Sequence, residues 1–273
     1  MPRTTTVLAA LLAATALTAT TASAAPTQDR PTPEAKAAGI TAPGDARMGW
    51  KERSTQPEQR SSATVAAPAG VKGIDVSNWQ GSVDWTAQWN AGKRFAYVKA
   101  TEGTGYTSPS FAQQYNGSYN VGMIRGSYHF ALPNKSSGAT QANYFVDHGG
   151  GWSADGKTLP GVLDIEWNPY GSTCYGLTRS GMRTWINSFL NQYKARTGRY
   201  PVIYTNTYWW NECVGHDTSF ASKSPLWIAR YSSSVGTLPT GWSVYSFWQY
   251  TDSPIDQNVW NGSLDRLRYF AKN

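Results

Sequence analysis

Asp164 and Glu166 stand two residues apart in the run Gly161-Val162-Leu163-Asp164-Ile165-Glu166-Trp167, whose other members are mostly apolar. In a β-strand, residues i and i+2 share a face. Both carboxyls therefore project together with Val162 behind them, while Leu163 and Ile165 pack on the other side. Two acids on one face of an apolar strand repel each other and resist losing water, which drives their pKa values apart. One carboxyl kept protonated beside one kept ionised is an arrangement that glycoside hydrolysis uses. The two Cα atoms are separated by about 6.6 Å of strand rise. Side-chain directions set the carboxyl gap, so the spacing leaves inverting and retaining chemistry both open. An isolated pair of this kind also fits one acid paired to a cation and a second in water at the strand end, so the surrounding chain must decide.

Eight strand-like runs recur, at 73–77, 95–100, 124–130, 162–166, 201–205, 226–231, 244–250 and 255–258. Helices fit between the first five. One spans 109–120, with Ser108 as cap and Pro109 in the first turn, and another spans 136–146. The clearest spans 178–196, where Met182, Trp185, Ile186, Phe189, Leu190 and Tyr193 recur at helical spacing between Thr178 and Gly198. After the fifth strand the helical pattern fades. Alternating strands and helices predict an α/β fold, a TIM-like β/α barrel of eight strands with its last helices missing or reduced, (β/α)5(β)3-like. A doubly wound sheet fits less well, because no glycine-rich phosphate loop follows the first strand.

In such barrels the reactive groups sit at the C-terminal strand ends. Those ends carry Asp75, Lys99 with Glu102, Tyr128 with His129, Asp164 with Glu166, Tyr204 with Asn206, Arg230 with Tyr231, Gln249 with Tyr250, and Asp256. Carboxylates, amides and aromatic rings in one ring suit a sugar site. Each residue also has a plainer reading. Asp75 and Asp256 would serve as turn acids, Tyr128 as core, His129 as a satisfied barrel histidine, and Lys99 as a counter-charge to the acids. Trp79, Trp227 and Trp248 suit the core as well as a sugar platform.

The N-terminus reads as a secretory signal at 1–24, with Arg3 before an Ala/Leu-rich core and Ala22-Ser23-Ala24 as the cleavage site. Residues 25–70 are rich in Pro, Ala, Thr, Ser and Gln, with Trp50 as their one aromatic residue. That composition predicts a disordered leader or pro-segment, a short regulatory propeptide being the alternative. Residues 71–273 are long enough for one domain with a large core. The formal net charge is +7, with the Lys and Arg residues scattered. This argues against nucleic acid as a partner and suits an anionic polymer such as a bacterial wall. No run after the leader is long enough to span a membrane. Cys174 and Cys213 are the only cysteines, and in an exported protein such a pair is expected to form a disulfide. His129, His148 and His216 lack metal-ligand spacing, so neither a metal nor any other cofactor is expected.

The ordered motifs Gly73-Ile74-Asp75-Val76-Ser77-Asn78-Trp79-Gln80-Gly81, Tyr97-Val98-Lys99-Ala100-Thr101-Glu102-Gly103, Gly126-Ser127-Tyr128-His129-Phe130, Leu163-Asp164-Ile165-Glu166, Pro201-Val202-Ile203-Tyr204-Thr205, Leu226-Trp227-Ile228-Ala229-Arg230-Tyr231, Trp248-Gln249-Tyr250-Thr251 and Ile255-Asp256-Gln257-Asn258 run through residues 71–273. Taken in this order, the chain resembles a glycoside hydrolase family 25 muramidase, the Chalaropsis-type lysozymes, of the actinobacterial type. The resemblance implies a barrel whose later strands lack full helices. It implies an enzyme that cleaves the β-1,4 bond from N-acetylmuramic acid to N-acetylglucosamine in peptidoglycan; the signal at 1–24 makes it a secreted one, and a monomer is expected. Configuration would be retained through attack by the substrate's own acetamido group. Carried over, Glu166 is the general acid/base, Asp164 orients the acetamido group, and Asp75 and Asp256 are the further acids of the groove. Tyr128, Lys99, Tyr204, Tyr231, Trp248, Gln249 and Asn258 are the expected substrate contacts.

Two other classes compete. A non-catalytic wall-binding barrel predicts a broken acid set, but Asp75, Asp164, Glu166 and Asp256 are all present. A chitinase-like enzyme on N-acetylglucosamine polymers predicts a longer run of acids, yet Leu159, Pro160 and Val162 stand where the earlier acids would be.

Overall fold

The computed structural model describes residues 1–2, 30–55 and 68–273. Most of the expected signal peptide, and residues 25–29 and 56–67 of the leader, lie outside the described residues. In chain order the elements are helices α1 (Pro33–Ala37) and α2 (Glu52–Thr55), strand β1 (Val71–Val76), α3 (Trp85–Asn90), β2 (Phe95–Glu102), β3 (Tyr106–Thr107), α4 (Phe111–Asn120), β4 (Ile124–Phe130), α5 (Gly138–Phe145), β5 (Val162–Asp164), α6 (Arg179–Thr197), β6 (Val202–Thr205), α7 (Thr207–Cys213), β7 (Leu226–Ala229), β8 (Phe247–Thr251), β9 (Gln257–Trp260) and α8 (Leu264–Lys272).

Strands β1, β2, β4, β5, β6, β7, β8 and β9 close into a barrel through the β1–β9 pairing, and β3 adds a short hairpin to β2. Neighbours from β1 to β8 run parallel. The eighth barrel strand departs from the all-parallel arrangement of a full TIM barrel, because β9 is antiparallel to both β8 and β1. A parallel return needs a crossover of a dozen or more residues, and the connection from Thr251 to Gln257 is far shorter.

Two-residue alternation sorts each strand. Tyr97, Val162, Val202, Tyr204, Trp227 and Phe247 share the interior cluster, whereas Leu163 and Ile203 join the helix-covered layer outside. Gly126 is required in this wall. A Cβ there would meet Tyr97 Cδ1 at 2.8 Å and Leu159 Cβ at 2.9 Å. The Tyr97 ring fills that space instead and donates from its hydroxyl to the Pro160 carbonyl at 3.1 Å.

The long helix forms as its periodicity predicts. Thr178 accepts from the Gly181 N–H at the N-terminus, and Gly198 closes the C-terminus with φ 85°. Its face packs on α5 through the rings of Phe145, Phe189 and Tyr193. Within residues 71–273 two helices go beyond the expected ones, the short α7 after β6 and the C-terminal α8. The latter places Leu267 and Ala271 in the interior cluster and so closes the floor of the barrel. The expected disulfide joins Cys174 to Cys213, tying the loop after β5 to the end of α7. Closing a loop of 39 residues is worth about 2–4 kcal/mol by restriction of the unfolded chain.

The leader differs most from expectation. Residues 30–55 are folded against the barrel, not extended away from it. Thr32 caps α1, and Ala35, Ile40, Ala46, Met48 and Trp50 are buried. Its composition is too polar for a core of its own, but these few apolar side chains complete cores supplied by the barrel. No helix among the described residues is long and apolar enough to cross a membrane.

Candidate functional site

Parallel strands deliver the C-terminal residues of β1, β2, β4, β5 and β6 to one end of the barrel. Asp75, Lys99, Tyr128, Asp164 and Tyr204 all come to this end and are fully or almost fully buried. Glu166 lies just past the end of β5, two residues beyond Asp164. β9 arrives from the opposite direction, so Asp256 and Asn258 reach the same end from the start of a strand.

Asp75 is the centre of an ordered network. Asn258 Nδ2 and Gln249 Nε2 both donate to its Oδ2, at 2.6 and 3.0 Å. The amide oxygens are taken by aromatic donors. Trp227 Nε1 donates to Asn258 Oδ1 at 3.0 Å, and the Tyr204 hydroxyl donates to Gln249 Oε1 at 2.6 Å. Each amide therefore has one orientation that satisfies both sides, with its NH2 toward the acid. Burial pushes Asp75 up to about 6 against these hydrogen bonds, which favour the carboxylate.

Asp164 and Glu166 form the second focus. Burial pushes both well above the usual carboxylate range. The Asp164 charge raises Glu166 further, and a proton on Glu166 is shared toward Asp164, which lowers Asp164 in turn. Lys99 also holds Asp164 down. Apart from this mutual contact, both Asp164 oxygens and Glu166 Oε2 lack a hydrogen-bond partner, as does the Tyr128 hydroxyl. Tyr128 senses the charges of Asp75, Asp164, Asp256 and Glu166. Buried polar atoms are almost always paired, so unpaired oxygens gathered at the mouth of a barrel have the character of a ligand site. Asp256 is raised by burial and then by the charge of Asp75.

Lys99 pairs with Glu102 Oε2 at 2.5 Å, with both side chains buried. Glu102 Oε1 also accepts from the Tyr170 hydroxyl at 2.6 Å. Tyr231 is buried at the mouth, where it senses Asp256 and Asp75. Trp248 is the expected contact that the fold does not bring here. Alternation on β8 turns Gln249 inward and Trp248 outward, where it packs with Leu226, Ile228, Tyr250 and Val259. His129 is on the outer face of β4. It bonds Thr101 Oγ1 at 2.8 Å and Gln141 Oε1 at 2.9 Å, and burial holds it down at about 4.

Tyr170, Tyr175 and the leader are three participants that the sequence does not reveal. Glu102 and Tyr170 meet only because a loop after β5 folds back to β2, and Tyr175 senses Glu166 and Asp164 from the same loop. The third is the leader, whose Gly49 N–H donates to Glu166 Oε1 at 2.8 Å. Cys174, Glu212 and Cys213 form a group of possible metal ligands among the described residues, but both sulfurs are consumed by the disulfide.

The sequence profile for the glycosyl hydrolases of family 25 matches residues 74–259. The chain is 50% identical over 244 residues to lysozyme M1 of Streptomyces globisporus, covering 85% of this chain and 83% of that protein. It is 47% identical over 208 residues to the N,O-diacetylmuramidase of Chalaropsis, covering 74% of this chain and 99% of that one. Among solved structures it is similar to the bacterial lysozyme of Streptomyces coelicolor, with TM-score 0.74, 52% identity, and coverage of 76% of this chain and 99% of the other. With most of the barrel and the acids Asp75, Asp164, Glu166 and Asp256 inside the matched span, the chain belongs to family 25 of the glycosyl hydrolases.

Proposed function

We propose that this protein is a secreted muramidase that hydrolyses the β-1,4 bond from N-acetylmuramic acid to N-acetylglucosamine in bacterial peptidoglycan. The observation that carries the reading is the buried Asp164–Glu166 pair at the barrel mouth, with partner-free oxygens, in a chain of this family. Hydrolysis of a glycosidic bond needs a proton for the leaving oxygen, and a carboxyl raised by burial and a neighbouring charge can hold one near neutral pH. Glu166 is that acid, and Asp164 is its ionised neighbour.

In the first step Glu166 protonates the bridging oxygen as the bond from the anomeric carbon breaks. The acetamido carbonyl oxygen of the same sugar attacks that carbon from the opposite face. Positive charge then develops on the acetamido nitrogen, and Asp164 stabilises it. In the second step Glu166 takes a proton from water, which opens the bicyclic intermediate from the first face. Asp75 and Asp256 line the groove with Tyr128, Tyr204, Tyr231, Gln249 and Asn258. Lys99 lowers the Asp164 pKa against the larger effect of burial and so favours its ionised form. No metal or organic cofactor enters this scheme. The names of the relatives support the substrate class, and the predicted signal at 1–24 supports export.

The test is digestion of purified peptidoglycan followed by mass analysis of the released ends. Muramic acid at every new reducing end is expected. Glucosamine ends, or release of oligomers from chitin with intact peptidoglycan, would replace this reading with a glucosaminidase or chitinase.

A further inference from the structure

We propose that residues 32–55 are an autoinhibitory segment that occupies the substrate cleft, so that the exported chain is a latent precursor activated by removal of this segment. The proposal rests on the reading of the barrel mouth as a glycan site. It goes beyond that reading in assigning the leader a place and a task.

The segment does not lie beside the acids; it passes among them. The Gly49 N–H holds Glu166 Oε1 at 2.8 Å, and the Tyr231 hydroxyl donates to the Gly49 carbonyl at 3.4 Å. Gly49 has φ +69°, and a Cβ on it would meet Gln249 Oε1 at 2.6 Å and the Tyr204 hydroxyl at 2.9 Å. Only glycine fits that slot. Next to it, Met48 is fully buried in the interior cluster that contains Tyr128, Tyr204 and Trp227. A sugar cannot enter while that side chain is there.

Further contacts fix the segment on both sides. The Gly44 N–H donates to Glu102 Oε1 at 3.1 Å, and Lys99 Nζ donates to the carbonyls of Gly44, at 3.0 Å, and Ala46. Trp50 Nε1 donates to the Trp167 carbonyl at 3.1 Å. The guanidinium of Arg47 lies 4.7 Å above the ring of Trp79, which remains half exposed. Arg53 Nε pairs with Asp252 Oδ1 at 2.7 Å, and both arginines sit within electrostatic reach of Asp256.

The chemistry is that of a substrate mimic. A peptide unit offers the same N–H and C=O pair as an acetamido group, and two cations face a cleft of carboxylates. Because the segment is tethered, its effective concentration is on the order of millimolar, so individually modest contacts suffice to keep it seated. The barrel is expected to fold without it, since 74% of this chain, about the extent of the barrel alone, matches 99% of the Chalaropsis relative.

The test compares the chain 25–273 with the same chain carrying a specific protease site inserted between residues 55 and 68, before and after cutting. Initial rates are read on peptidoglycan, and melting temperature is followed in parallel. Cutting and release should raise the rate at least tenfold. Gly49→Val in the uncut chain should raise it similarly, with the barrel's melting transition preserved. A synthetic peptide of residues 30–55, added to the released barrel, should raise KM and leave kcat unchanged. Equal rates before and after cutting, with muramidase activity present in both, would overturn the inhibitory role alone. Absence of activity in every folded form would overturn the reading of the site itself, and this proposal with it.

Discussion

The backbone N–H of Gly49 and the Oε1 of Glu166 are 2.8 Å apart although 117 residues separate them in the chain. One oxygen of the carboxyl proposed to exchange protons with substrate and water is thus held by a peptide group of the leader. Its sister atom Oε2 has no hydrogen-bond partner. The site as folded is complete in its acids and closed to glycan. The catalytic predictions therefore concern the protein freed of its leader.

Replacing Glu166 by Gln removes the only proton that the scheme delivers to the leaving oxygen. General acid catalysis contributes about 10²–10⁴-fold, so Glu166→Gln should lose at least that factor in kcat with an unchanged melting curve. Turnover near the parent level would take Glu166 out of the mechanism.

In the proposed mechanism Asp164 acts on substrate, and it also acts on Glu166 through charge. Burial is the largest cause of the raised Glu166 pKa, and the Asp164 charge follows. Asp164→Asn should cost most of the activity. The basic limb of the remaining pH–rate profile should shift to lower pH, because Glu166 then loses its proton more easily. An unmoved limb would mean that the two carboxyls titrate independently.

Asp75→Asn tests the buried acid network through stability. Burial raises Asp75 from 3.8 to about 6 in the fold. Below pH 4 the carboxyl is protonated in both folded and unfolded chains, and the parent bears no penalty. As pH rises through about 6 the unfolded carboxyl ionises first, and the parent loses up to about 3 kcal/mol. Asn keeps one oxygen for the donors on Gln249 and Asn258. The variant should therefore gain stability relative to the parent between about pH 4 and 6 and hold that gain above it. His129 gives the opposite slope, since its depressed value of about 4 costs stability as pH falls. It does so in both proteins and cancels in the difference. A stability difference independent of pH, read from chemical denaturation, would show that Asp75 is not destabilised as an ion.

Attack by the acetamido group inverts the anomeric carbon once, and opening of the intermediate by water inverts it again. Early products should carry the β configuration, and no covalent enzyme adduct should form. A thiazoline mimic of the bicyclic intermediate should inhibit, because it resembles the charged state that Asp164 stabilises. Proton NMR of the first products decides the stereochemistry, and an initial α-anomer would require direct attack by water instead.

What the sequence determined by itself was local. Two-residue spacing joined Asp164 to Glu166, helical spacing and a Thr–Gly pair of caps marked the helix through Phe189, and the ordered motifs carried the family. These signals survive because strand and helix periodicities act between near neighbours. Tertiary structure decided which distant residues meet. Asp75, Gln249 and Asn258 become one network only when β9 closes the barrel between β8 and β1. Trp248 turns away from that network because the register of β8 gives the inner face to Gln249. The leader shows the same limit most clearly. Its composition is too polar for a core of its own, but Met48 and Trp50 are buried by surfaces assembled from the rest of the chain. No window of the sequence contains both halves of such a contact.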